Sequence, residues 1–301
     1  MEWELALAGL LVGSLVGLTG MGGGSLMTPL LIFAFGFNPS VAIGTDIFHG
    51  AVFKTVGAIR HRTLGTVHAR LSGWMFLASA PMSLVGVAIA TWVKNRYGDD
   101  TGDLLAVILG GALVLGGVGL LAKSAIGHTE RPDAPFLLEN RHRWAAVTIG
   151  FFGGLIVGLT SVGTGVFFGL TLLVLFPLRT AIVVGTDIFH AAALLWVAGM
   201  GHFVAGNVDL GAAGWLLLGS VPGVLLGSQF TVKLPDRSLR LALSTVLIAS
   251  GAKLLDVPAA NGVVIAVLAA GALAVAWSLL GASRGSARAA AAEGTTRTGG
   301  P

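Results

Sequence analysis

The chain has 301 residues, of which 54% are hydrophobic and only 11% charged, with a mean hydropathy of +0.87. A soluble domain carries about a quarter charged residues, so this composition excludes a water-solvated globule and points to an all-α polytopic membrane protein. The net charge of +4 comes from 18 basic and 14 acidic residues gathered in a few loops, which argues against nucleic-acid binding, and the lack of cysteine excludes disulfides and thiolate metal sites.

The first apolar run extends from Leu5 to Phe37. As one straight helix it would be roughly 50 Å long, against a hydrocarbon core of about 30 Å. Glycines at 20 and 22–24 predict a break near its middle, hence two half-length helices in a re-entrant hairpin. Glu2 and Glu4 stand where a cleavable signal would carry a basic leader, so the run is expected to stay. Spans are expected next at Pro39–Arg60, Leu71–Val93 and Leu104–Ala122. A second broken segment, Trp144–Phe176, precedes spans at Thr180–Met200, Ala212–Thr231 and Leu239–Leu255. The expected domains are a first membrane repeat (1–122), a cytoplasmic linker (123–143), a second repeat (144–255), an additional transmembrane helix (256–283) and a disordered tail (284–301).

The two units are one sequence used twice. Gly44-Thr45-Asp46-Ile47-Phe48-His49 returns as Gly185-Thr186-Asp187-Ile188-Phe189-His190, displaced by 141 positions. The same offset aligns Gly17-Leu18-Thr19 with Gly158-Leu159-Thr160, His61 with His202, Gly73-Trp74 with Gly214-Trp215, Ser79 with Ser220 and Pro81 with Pro222. Charge then orients the units, because Lys and Arg favour cytoplasmic loops. The loop after the first hexapeptide holds Arg60, Arg62 and Arg70 without an acid, whereas its counterpart, Gly201 to Asp209, holds no Lys or Arg. The following loop pair reverses that sign. The expectation is therefore two inverted repeats, each a broken hairpin plus three transmembrane helices, with the N-terminus outside and the C-terminus inside. Trp3, Trp92, Trp144 and Trp277 fall near span ends, where indole rings favour the interface.

The candidate site begins at the two breaks. Thr19, Gly20, Gly22, Gly23, Gly24 and Ser25 in the first unit, with Thr160, Ser161, Gly163, Thr164 and Gly165 in the second, would expose backbone N–H groups and helix N-termini to an anion near mid-membrane. The competing reading is close helix packing by small residues. Thr45, His49, Lys54, Thr186 and His190 join them as substrate-binding candidates. Asp46 with His49 and Asp187 with His190 are candidates for proton coupling. Each central charge costs about 2.5–3.5 kcal/mol to insert, and a spacing of three places both members of a pair on one helix face. Helix capping by the Asp, a carbonyl bond from the His, and snorkelling or pairing with Asp46 by Lys54 are the structural alternatives. Lys54 has Leu195 as its repeat equivalent, so any cationic contribution would be asymmetric.

These residues carry a resemblance. The pattern Gly13-x3-Gly17-x2-Gly20-x-Gly22-Gly23-Gly24-x4-Pro29, followed by Ala42-x-Gly44-Thr45, resembles the sulfite exporter TauE/SafE family of bacterial membrane permeases over Leu5 to Leu255. The second copy departs at Ser161, Thr164 and Leu172. The resemblance implies a bacterial inner-membrane location and export or uptake of small sulfur-containing anions: sulfite, sulfoacetate and related organosulfonates, thiosulfate in some relatives. The residues alone reach a small anion or polar solute. The leading expectation is a proton-coupled secondary transporter, not an enzyme, without cofactor or metal. An anion channel is the second reading and a membrane-embedded metal-dependent enzyme the third. The expected partners are the small anion and the lipid bilayer, with no nucleic acid; the oligomeric state is open, a homo-oligomer included.

Overall fold

The structure is a computed structural model that describes residues 2–19, 24–97, 101–125, 136–230, 236–256, 261–262 and 264–273. Among them it is all-helical, with no strand longer than an isolated bridge between Val162 and Thr164. The first unit contains α1 (Glu2–Thr19), α2 (Gly24–Phe35), α3 (Pro39–Thr63), α4 (Ala69–Tyr97) and α5 (Thr101–Ala125). The second contains α6 (Asn140–Thr160), α7 (Phe167–Leu175), α8 (Thr180–Val204), α9 (Leu210–Phe230) and α10 (Asp236–Leu254). Residues 264–273 form a further short apolar helix; the remainder of the additional span, Trp277 and the tail from Arg284 lie outside the described residues.

Among the described residues four helices are long and apolar enough to cross a membrane: Ala69–Arg96, Leu104–Ala122, Asn140–Thr160 and Ala181–Val204. Shorter apolar stretches include Leu26–Phe35, Leu210–Leu226 and Leu241–Leu254. Trp3, Trp92 and Trp144 are exposed.

The broken segments differ from the expected pair of half-length helices. α1 has 18 residues and α6 has 21, whereas α2 has 12 and α7 only 9. At 1.5 Å per residue α1 is about 27 Å long, close to a full hydrocarbon crossing. The reason lies in the earlier glycines. Gly9 and Gly13 lie on α1 where a Cβ would overlap the backbone of Leu216 and Ser220 on α9. Gly150, Gly154 and Gly158 on α6 stand in the same way against Met75, Ser79 and Ser83 on α4. Glycine at a four-residue spacing makes a flat stripe for close backbone approach, so these positions stay helical and α6 runs to the break at Ser161, where the sequence places it.

The units are interleaved. α1 of the first packs on α9 of the second, and α6 of the second on α4 of the first. In both pairs residue numbers rise together (Gly9 at Leu216, Gly13 at Ser220; Gly150 at Met75, Gly158 at Ser83), so the partners run parallel. The repeat-equivalent helices α3 and α8 instead run antiparallel: Phe48 meets Gly199, Gly50 meets Leu195 and Gly57 meets Ile188. α5 and α10 do likewise, with Gly110 against Gly251 and Gly117 against Ser244. The main core is built where α3, α4, α6, α7 and α8 meet, around Ile43, Ile47, Leu71, Met75, Phe168 and Leu194. The α3–α8 crossing carries both copies of the hexapeptide into this interior.

Candidate functional site

The second break is a short irregular turn between α6 and α7. Ser161 ends α6 in the left-handed region at φ 64°, and Gly163 and Gly165 follow at φ 144° and 89°. Thr160 closes its own helix end: its hydroxyl donates to the Ile156 carbonyl at 2.7 Å and accepts from the Val162 N–H at 3.2 Å. The Phe168 N–H reaches back to the Gly163 carbonyl as α7 begins. Thr160, Ser161 and Thr164 are all buried.

α3 and α8 grip this turn. The Ser161 hydroxyl donates to Asp46 Oδ2 at 2.6 Å, and the Thr28 hydroxyl on α2 donates to the same oxygen at 2.5 Å. Lys54 Nζ donates to Thr164 Oγ1 at 2.6 Å. The Gly165 N–H points at Asp187 Oδ1 over a longer 3.4 Å. The Lys54 ammonium also lies within electrostatic reach of Asp187 and Asp46. Asp46, Asp187 and Lys54 are buried, with 2%, 6% and 3% of their surface exposed. Two carboxylates and one ammonium thus converge with three hydroxyls and one backbone N–H at the turn that leads into α7. The group spans both units, since Lys54 and Asp46 belong to the first and the turn to the second.

The histidines take other partners. His49 Nε2 pairs with the Ser220 hydroxyl on α9 at 2.8 Å, and His190 Nε2 with the Ser79 hydroxyl on α4 at 2.9 Å. These bonds are repeat equivalents, as Ser79 and Ser220 share the 141-residue offset. The other ring nitrogen, Nδ1, of each histidine is buried with no hydrogen-bond partner among the described residues. His49 stacks on Phe53 and His190 meets the edge of Phe168. The aspartate and histidine of each hexapeptide therefore serve different neighbours across the crossing. Thr45 and Thr186 face loops: their hydroxyls accept the backbone N–H of Asp209 and of His68, at 3.0 and 2.9 Å.

Gly20, Gly22 and Gly23 lie outside the described residues, as do the side chains of Thr19 and Ser25; Gly24 opens α2. Thr28, Ser79 and Ser220 escaped the sequence reading as site residues. The two serines had a signal, their repeat equivalence; Thr28 had only its polarity in an apolar stretch. No group of three or more His, Asp or Glu arranged to hold a metal ion occurs among the described residues.

An apolar pocket of about 500 Å³ borders the turn, walled by Thr160, Val162 and Gly163 with Leu155, Ile156 and α5 residues such as Val107 and Leu115. A smaller one of about 320 Å³ lies between α1, α2 and α10.

The family profile described as "Sulfite exporter TauE/SafE" matches residues 5–254, both units from end to end. The chain belongs to the sulfite exporter TauE/SafE family. A relative over the full length is the "Probable membrane transporter protein YjnA" of Bacillus subtilis, 36% identical over 257 residues that cover 85% of this chain and 100% of the relative. The "Probable membrane transporter protein YdhB" of the same organism is 24% identical over 233 residues, 77% of this chain and 91% of the relative. "Sulfite exporter TauE/SafE family protein 1" of Arabidopsis thaliana is 36% identical over a shorter 94 residues, 31% of this chain and 21% of that one. No solved structure matches the chain. With its several apolar helices, this TauE/SafE protein is a multi-pass membrane transporter of that family.

Proposed function

We propose that this TauE/SafE protein is a proton-coupled secondary transporter of a small sulfur-containing anion, sulfite or an organosulfonate of sulfoacetate type, bound where Lys54 meets the second glycine break. The observation that carries the reading is the buried meeting of Lys54, Asp46 and Asp187 at a helix N-terminus inside an apolar bundle. Polar groups at that depth are costly unless function retains them. An ammonium, hydroxyls and the Gly165 N–H of the turn before α7 suit a compact oxyanion. The family name supplies the sulfur chemistry.

Charge supports the coupling. With all three groups ionised the cluster carries a net charge of −1, and an anion brings at least one more. A proton on one carboxylate offsets that repulsion, which at about 4 Å and an effective dielectric of 20 is on the order of 4 kcal/mol per charge pair. Anion and proton then move together.

The antiparallel crossings of α3 with α8 and α5 with α10 support reading the units as inverted repeats, with the loops at Gly65 and Gly206 on opposite sides. The arginines around Gly65 favour the cytoplasm for that end, the N-terminus outside, and insertion in a bacterial inner membrane. Alternating access follows from exchanging the conformations of the two units.

The test is flux in proteoliposomes holding the purified protein, across sulfite, thiosulfate, sulfoacetate, chloride and a neutral solute. Selective movement of sulfur oxyanions or sulfonates is expected. Equal movement of chloride, or none of the sulfur anions, would refute the substrate class.

A further inference from the structure

A second buried polar network lies away from this cluster, at the end of the bundle where α8 turns into α9. Lys94, near the C-terminus of α4, donates to Asn207 Oδ1 in the α8–α9 loop at 2.8 Å. Asn207 Nδ2 donates to Thr91 Oγ1 on α4 at 3.0 Å and faces His202 Nδ1 on α8 at 3.4 Å. His202 Nε2 meets the Gly158 carbonyl at 2.8 Å, one turn before the α6 break. A carbonyl only accepts, so Nε2 carries the proton and Nδ1 is left to accept from Asn207. Both N–H donors of the Asn207 amide and its oxygen are thereby engaged. Asn207 and His202 are wholly buried. The Asn207 backbone carbonyl also presses on Gly44, and the Asp209 N–H is held by Thr45. The loop therefore covers the first residues of the hexapeptide in α3.

The other end is built differently. The repeat equivalents of Lys94, Thr91 and Asn207 are Pro235, Val232 and Thr66. Proline and valine offer no side-chain donor. There His61 Nδ1 pairs with the Thr66 hydroxyl at 2.9 Å, and His61 is only part-buried. The covering contact itself is repeated: the Thr66 carbonyl presses on Gly185, and Thr186 holds the His68 N–H. Both ends carry the same lid, and among the described residues the additional fastening is at the α8–α9 end.

We infer that the Lys94–Asn207–His202 network is a latch that holds the α8–α9 end shut and makes Lys94 and Asn207 positioning residues for the direction in which the site faces. The inference rests on the two-sided access proposed above. The latch joins α4 of one unit to the α8–α9 loop of the other and to the end of α6, so opening that end breaks a charge-assisted hydrogen bond that Pro235 and Thr66, at the equivalent positions of the sequence, have no side-chain cation to form. The site therefore rests facing the α3–α4 end, where Arg60, Arg62 and Arg70 stand.

The chain is naturally free of cysteine, which allows a single reporter. Val87 packs against Gly201 beneath the latch, one turn from Thr91 on the same face of α4. In vesicles without any substrate, Val87→Cys should react slowly with a membrane-impermeant maleimide supplied from the α8–α9 side. Adding Lys94→Met should speed that labelling about 10- to 100-fold, the shift expected when a hydrogen bond from a charged donor is lost from one of two states. Lys94→Arg should keep it near the starting rate. Unchanged labelling with Lys94→Met would overturn the latch. So would faster labelling in both Lys94→Met and Lys94→Arg with a matching loss of thermal stability, since that marks general loosening. No transported anion enters the assay, so failure of the sulfur-anion reading leaves the result intact.

Discussion

Lys54→Leu copies into the first unit what the second already has at Leu195, and it removes the cation of the central cluster. In the native protein its ammonium holds Thr164 Oγ1 at 2.6 Å beside both carboxylates. An anion taking up a position about 4 Å from that ammonium gains on the order of 4 kcal/mol at an effective dielectric of 20. At about 1.4 kcal/mol per decade, with part of the gain spent on stripping water from the anion, affinity should fall by roughly two to three orders of magnitude. The substitution also leaves two buried carboxylates without their cation, so the protein itself is expected to accumulate less. Lys54→Leu with Asp46→Asn separates the two effects, because it returns the cluster to a single net negative charge. Protein level should recover while anion binding, measured by equilibrium dialysis with labelled sulfite in detergent, stays lost. Near-native affinity in the double variant would show that the anion does not bind at Lys54.

Three further outcomes follow from the same geometry. Asp46→Asn and Asp187→Asn should each leave substrate counterflow intact while reducing acceleration by a pH gradient, because the amide keeps the carboxylate's size and an acceptor but cannot titrate; full proton-driven flux in both would reduce the carboxylates to struts for Ser161 and Gly165. Gly158→Leu should lower the amount of folded protein in the membrane by a destabilisation of several kcal/mol, since its Cβ would overlap the Ser83 backbone, and unchanged thermal stability would refute the packing role of the α6 stripe. Single cysteines at Gly65 and Gly206 should react with an impermeant maleimide from opposite sides of the membrane, and labelling from one side would defeat the inverted arrangement.

What the sequence revealed depended on whether the signal was local. The 141-residue offset and the lopsided arginines anticipate two units whose equivalent helices oppose each other, and α3 and α8 do run antiparallel. Helix existence was legible from apolar runs and the second break from its Ser161–Gly165 turn; the contact role of Gly9, Gly13, Gly150 and Gly154 was not, because the backbones they meet lie in the other unit. Ser161 and Thr164 could be named because they stand in an unusual turn. Their partners on α3 could be named only as costly charges, since nothing local says that Asp46 reaches across to a turn 115 residues away. The same limit hid the latch. Nothing local links Lys94 to Asn207 until folding brings them together across 113 positions.

The central claim is that an anion and a proton move together through the Lys54 cluster. Proteoliposomes loaded with equal sulfite inside and out, then given a pH gradient with the membrane potential clamped, test it most directly. Coupling predicts net movement of sulfite against its own rising gradient, abolished by a protonophore and absent in Lys54→Leu. Sulfite that stays at equal concentrations under the pH gradient, yet equilibrates readily when its own gradient is imposed, would mark a passive anion pathway and contradict the account.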